Sequence, residues 1–120
     1  MTGGKRKWFV PDGYLPSASS GDALSHESAC LLNVSEEDAT VRFTFYFEDR
    51  DPIGPVDVTL AARRTWHVRL DDAESLGGVV LPRDVPYAYT VESDVPVVLQ
   101  HSRLDTSSGY ALFTTVGYGE

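Results

Sequence analysis

Ser25-His26-Glu27 places an imidazole beside a carboxylate, a combination that can ligate a metal, shuttle a proton or hydrogen-bond a hydroxylated ligand. Adjacent side chains on a strand point to opposite faces, so both reach one site only if the backbone turns there. A second cluster runs Ala62-Arg63-Arg64-Thr65-Trp66-His67-Val68-Arg69, with three guanidiniums and an imidazole in an otherwise acidic chain. Guanidinium forks hold carboxylates, phosphates or vicinal sugar hydroxyls in fixed geometry, and they serve equally to pair with acids across strands or subunits. The third cluster is Gln100-His101-Ser102-Arg103-Leu104-Asp105. Parity puts His101 and Arg103 on one strand face, with Gln100 and Ser102 on the other.

His26, His67 and His101 with Glu27 supply the donor types of a zinc or iron site. No H-x-H or H-E-x-x-H spacing supports one, and we expect no resident metal or cofactor. There is no G-x-S-x-G, and the single Cys30 lies in the apolar run at residues 29–32, which predicts a buried, inert thiol. Gly77-Gly78 precedes no helix and does not read as a phosphate loop. Trp8, Tyr14, Trp66, Tyr87 and Tyr89 could stack on a sugar ring or pack in a core or interface.

What must position these groups is a chain whose hydrophobic period is two. At residues 40–48, Val41, Phe43, Phe45 and Phe47 alternate with Arg42, Thr44 and Tyr46, as in a strand with one face on a core. Residues 56–60 repeat the pattern, and 65–70 set Trp66, Val68 and Leu70 opposite His67 and Arg69. Further strands are expected at 7–10, 29–34, 87–92, 96–104 and 110–118. Val97-Val98-Leu99 is apolar on both faces, which places its strand inside a sheet. Turns fall at 33–38, at Asp51-Pro52-Ile53-Gly54-Pro55 and in a longer loop at 71–86, while 17–22 is a Ser-rich connection. Helical patterning is nearly absent, its best candidate being a turn around residues 71–75, and there is no internal repeat. The expectation is an all-β, antiparallel β-sandwich of about eight strands, a single domain over residues 1–120.

Composition removes several classes of function. Ten basic residues against eighteen acidic ones give a net charge of −8, and Lys5, Arg6 and Lys7 hold three of the ten. That field repels phosphate backbones and anionic lipid, so no nucleic acid is expected as a partner. No run approaches the roughly 18 apolar residues of a membrane helix, and Pro11-Asp12-Gly13 halts Trp8-Phe9-Val10 before it could act as a signal peptide. A cytoplasmic protein without membrane insertion is expected. One cysteine allows no intrachain disulfide.

Several blocks, in order along nearly the whole chain, resemble the Anabaena sensory rhodopsin transducer family. They are Gly13-Tyr14-Leu15-Pro16, Ser25-His26-Glu27 with Cys30-Leu31-Leu32-Asn33, and Asp51-Pro52-Ile53-Gly54-Pro55. Ala62-Arg63-Arg64-Thr65, His67-Val68-Arg69, Val95-Pro96-Val97-Val98 and the run from Gln100 to Asp105 complete them. The resemblance implies a small β-sandwich assembled as a homotetramer. It also implies a soluble partner of a membrane photoreceptor, or an intracellular sensor of small molecules such as sugars. Asp71-Asp72, Thr106-Ser107-Ser108 and the loop at 73–81 depart from the family pattern.

The resulting expectation is a non-catalytic signal transducer that binds a sugar-like ligand. Its candidate site is His26, Glu27, Arg63, Arg64, His67, Gln100, His101, Arg103 and Asp105, with Trp8 or Tyr14 stacking at the rim. Two alternatives stand beside it. One is an oligomeric adaptor without a ligand pocket, and the other is a metal-dependent carbohydrate-active enzyme.

Overall fold

The computed structural model describes residues 3–19 and 23–120; Ser20, Gly21 and Asp22 of the Ser-rich connection lie outside the described residues. Eight strands follow one another: β1 (Lys5–Gly13), β2 (His26–Asn33), β3 (Ala39–Phe47), β4 (Ile53–Leu60), β5 (Arg64–Arg69), β6 (Tyr87–Asp105), β7 (Ala111–Val116) and β8 (Tyr118–Gly119). Every pairing is antiparallel. One layer has the order β4-β3-β6-β1-β8; in the other, β5 pairs with β2, β2 with β6, and β6 with β7.

A single long strand therefore serves both layers. Residues 87–93 of β6 pair with β3, and residues 98–104 pair with β2. The odd positions from Tyr87 to His101 are buried without interruption, so one face of β6 points inward along both arms. Twelve residues of straight strand would span roughly 40 Å, yet the Tyr89 hydroxyl lies 2.8 Å from His101 Nδ1. The strand must turn a corner between them. Partner β1 shows where: Lys7 is opposite Glu92 and Lys5 opposite Val97, which leaves residues 93–96 out of register. Pro96, which has no amide to donate, falls within that bulge. Sheets that exchange layers through a bent strand form sandwich corners of this kind.

Two strand boundaries differ from the sequence reading. The expected strands at 87–92 and 96–104 are one, because Pro96 marks a corner rather than a turn. The expected strand at 110–118 is two, since the chain leaves the β6 ladder after Val116 and pairs instead with β1 through Trp8–Gly119 and Phe9–Tyr118. Gly117 permits the crossing, because a Cβ there would sit 2.8 Å from the Phe9 carbonyl oxygen.

The core lies between the layers. Val41, Phe43 and Phe45 of β3 face Ala29 and Leu31 of β2, Val68 of β5 and Leu99 of β6, all essentially without solvent contact. Phe43, Phe45, Tyr87 and Tyr89 form a continuous aromatic cluster with ring centroids 5.8–6.2 Å apart. Such pairs add about 0.5–1.5 kcal/mol each beyond area burial. Cys30 faces the opposite way and is only half-buried, 3.8 Å from Ser102 Oγ, which corrects the expectation of a buried thiol.

Candidate functional site

Glu27 is the centre of the polar interior. Strand parity turns His26 outward and Glu27 inward, where its side chain has no solvent contact. Four donors converge on the carboxylate. Oε1 accepts the Tyr14 amide at 2.8 Å and the Tyr87 hydroxyl at 2.5 Å. Oε2 accepts His101 Nε2 at 3.0 Å and Arg103 Nε at 2.6 Å. An ionised carboxylate only accepts, so His101 carries a proton on Nε2, while its Nδ1 is hydrogen-bonded to the Tyr89 hydroxyl. Gly13 lets Tyr87 come close, since a Cβ there would run into the phenol ring.

Burial alone would raise the Glu27 carboxyl, but hydrogen bonds from His101, Tyr87 and Arg103 together hold it below its ordinary value. Burial and the Glu27 charge push the Tyr87 phenol well above its usual value, and the same two causes act on Tyr89. Neither phenol is set up as a nucleophile or base. With two hydrogen bonds on each oxygen, Glu27 is saturated, so its role is to lock β2 to β6 and to the segment after β1.

Arg103 carries this interior to the surface. Its Nη2 reaches Asp12 Oδ1 at 3.3 Å, and its guanidinium lies over the Phe113 ring, 4.9 Å from the centroid. Its side chain is 15% exposed, whereas that of Asp12 is 79% exposed. Asp12 and Phe113 also line a cleft of about 570 Å³ between β1 and β7, together with Val10, Pro11, Thr115 and Tyr118.

The remaining candidate residues do not join the network. His67 and Gln100 are exposed on the outer face, on either side of Cys30, because Trp66, Val68, Leu99 and His101 take the inner positions. His26 also faces outward, with Nδ1 2.9 Å from the Leu24 carbonyl oxygen. Arg63 occupies the tight connection between β4 and β5 at φ 57° and pairs with Glu36 at 2.9 Å. Arg64 is exposed and donates to the Arg63 carbonyl. Asp105 accepts the Ser107 amide and hydroxyl. Thus His26, Arg63, Arg64, His67, Gln100 and Asp105 are not gathered with Glu27, His101 and Arg103, which form a buried hydrogen-bonded cluster. Trp8 is also no rim residue: it is buried and donates through Nε1 to the Val97 carbonyl at 3.0 Å.

Other polar groups hold loops in place. Asn33 spans the turn after β2, donating to the Glu37 and Leu60 carbonyls while accepting from Ser35. Asp71 accepts Arg69 Nε and Nη2, each at 2.7 Å, and also Arg83 Nη2 at 3.4 Å. Among the described residues, no group of three His, Cys, Asp or Glu side chains is arranged to hold a metal ion. No helix among them is long and apolar enough to cross a membrane.

The family model described as Anabaena sensory rhodopsin transducer matches residues 3–119. The chain belongs to that family. Two solved structures agree with it over most of their length. One is titled as the crystal structure of Thermotoga maritima 1070; it is 43% identical, with a TM-score of 0.88 over 100% of this chain and 97% of that one. The other, Anabaena sensory rhodopsin transducer, is 37% identical with a TM-score of 0.71, over 84% of this chain and 98% of that one. No curated protein sequence matches. Membership in the transducer family supports a signalling role for the chain.

Proposed function

We propose that the chain is a non-catalytic transducer that reads a small polyhydroxylated ligand, of the sugar class, in the cleft between β1 and β7. The observation that carries this reading is Arg103, which touches the cleft residues Asp12 and Phe113 at one end and the interior carboxylate Glu27 at the other. Asp12 is an exposed acceptor for ligand hydroxyls, Arg103 a forked donor, and Phe113 and Tyr118 offer ring faces to the C–H side of a pyranose. A cleft of this volume suits a small ligand. Because Arg103 also anchors β6 to β2, a ligand that shifts its guanidinium acts on both layers. Signalling then requires that the ligand favour one arrangement over another.

Thermal shift and calorimetry against a panel of neutral sugars and sugar acids provide the test. At least one member should stabilise the protein, by about 2.7 kcal/mol at a hundred times its dissociation constant. Asp12→Ala and Phe113→Ala should each weaken that binding tenfold or more. A silent panel, or binding indifferent to both substitutions, rejects the reading.

The outer face of the β5-β2-β6-β7 layer favours a second role, assembly into a homotetramer in the cytoplasm. Leu32, Val34, Val98, Leu112 and Val116 are exposed there at 38–71%. Residues 106–119 contain no charged side chain, so two copies of a chain with net charge −8 can meet there without bringing like-charged side chains of that segment together. Sedimentation should give a mass several times that of the monomer, and Leu112→Asp with Val116→Asp should reduce it; a monomer at high concentration would remove this role. The name of the solved relative makes a sensory rhodopsin the first membrane partner to try.

A further inference from the structure

The outer face of the other layer carries a different surface. Across β4, β3, β6 and β1 runs a row of alternating charge: Asp57, Arg42, Glu92 and Lys7. It is largely self-satisfied, with Arg42 on Asp57 at 2.8 Å and Lys7 on Glu92 at 3.5 Å. Next to it the face becomes a trough. The small residues Ala88 and Thr90 of β6 form the floor. Tyr46 of β3 stands on one side, and Phe9 and Pro11 of β1 with Tyr118 of β8 stand on the other. Phe9 and Tyr118 form one tilted aromatic wall, 6.1 Å between centroids. The trough continues past Ala88 into a second hollow lined by Phe47, Glu48 and Pro86. The two parts hold about 290 and 250 Å³ and share Pro11, Tyr46 and Ala88.

We propose that this trough docks a proline-rich, extended peptide segment bearing a basic residue. Along the trough, β6 is already paired with β3 on one side and β1 on the other, so an incoming strand finds no free ladder to join. A polyproline II segment needs no such ladder. Its pyrrolidine rings pack on aromatic faces, and it enters already ordered. From Thr90 to Pro86 the floor spans about 13 Å of strand, and four residues of polyproline II cover about 12 Å. Charge specifies the flank. Glu48 lines the far end and has no ion pair or hydrogen bond among the described residues. Next to it in the chain, Asp49 and Asp51 flank one cation, Arg50, which pairs with Asp49 at 3.0 Å and lies over the Phe47 ring, 5.5 Å from its centroid, so Glu48 and Asp51 stay uncompensated by it. A lysine or arginine at one end of the segment meets that excess of carboxylate.

The probe is a synthetic peptide of consecutive prolines ending in one arginine, titrated by amide NMR against a glycine-serine peptide of the same length and charge. Saturable shifts should centre on Ala88, Thr90 and Tyr46 with the proline peptide, and the control should bind at least tenfold more weakly. Tyr46→Ala should weaken binding tenfold or more, and Glu48→Gln several-fold with loss of its salt dependence. Equal binding of both peptides, absence of saturable shifts, indifference to Tyr46→Ala, or coverage of the trough by self-association each overturns the proposal. Tyr46 and Glu48 lie outside the β1–β7 cleft, so failure here is distinguishable from failure of the sugar panel.

Discussion

Glu27→Ala should lower the stability of the fold by about 3–5 kcal/mol, the usual result of removing one partner from a buried ion pair. The substitution strands the Arg103 guanidinium, His101 Nε2, the Tyr87 hydroxyl and the Tyr14 amide at once. For a domain of this size that is a fall in melting temperature on the order of 10–20 °C, read by circular dichroism. Glu27→Gln should recover little, because an amide presents two donors to a site whose four occupants all donate. The double change Glu27→Leu with Arg103→Met should recover part of the loss, since it removes both charges together. A fall below about 1 kcal/mol for Glu27→Ala would show that the network does not hold the layers together. The acid limb gives an independent reading. The folded carboxyl lies below its unfolded value near 4.5. Its contribution is therefore present above that pH and is lost as pH falls through the lower folded value. Glu27→Gln should flatten this limb without abolishing it, because Asp71 is also held low: burial raises it, and the Arg69 fork and charge more than offset that.

Phe45→Ala should cost about 3–5 kcal/mol, while Tyr46→Ala, one residue along, should cost less than about 1 kcal/mol. Phe45 is fully buried, and its ring sits 5.8–6.2 Å from those of Phe43, Tyr87 and Tyr89. Tyr87 donates to Glu27 and Tyr89 is hydrogen-bonded to His101, so a cavity at Phe45 also loosens the groups that satisfy the interior charge. Tyr46 points to the other face and is 43% exposed. Thermal melts of the two variants decide the matter, and similar losses would contradict the alternation on which the core is built. Near-ultraviolet circular dichroism should collapse only for Phe45→Ala, because only that ring belongs to the buried aromatic cluster.

Alternation made most of the architecture legible. The period of two at Val41, Phe43 and Phe45, and at Trp66, Val68 and Leu70, assigns inward and outward faces that the structure keeps. The same parity separates His26 from Glu27 and groups His101 with Arg103. What it does not convey is which far strands face one another. His67 and Gln100 have the chemistry of a binding site, but their parity puts them on the solvent side of β5 and β6. The corner in β6 was hidden by its composition, since Ser93, Asp94 and Pro96 are turn residues by type. The signal that could have revealed it is the parity of Tyr87, Tyr89 and Val91, which continues into Val95, Val97 and Leu99. Asp12 and Phe113 gave no signal at all, because their roles arise from the end of β1 and a crossing at Gly117.

The bent strand leaves this molecule no seam. Residues 87–105 are the inner member of one layer and then of the other, so neither layer has a self-sufficient stretch of chain. Nicking or permuting the backbone near Ser93 would orphan both halves of the sandwich together. The domain should therefore be exchanged or lost as a whole, and grafts should be confined to the loops at its two ends.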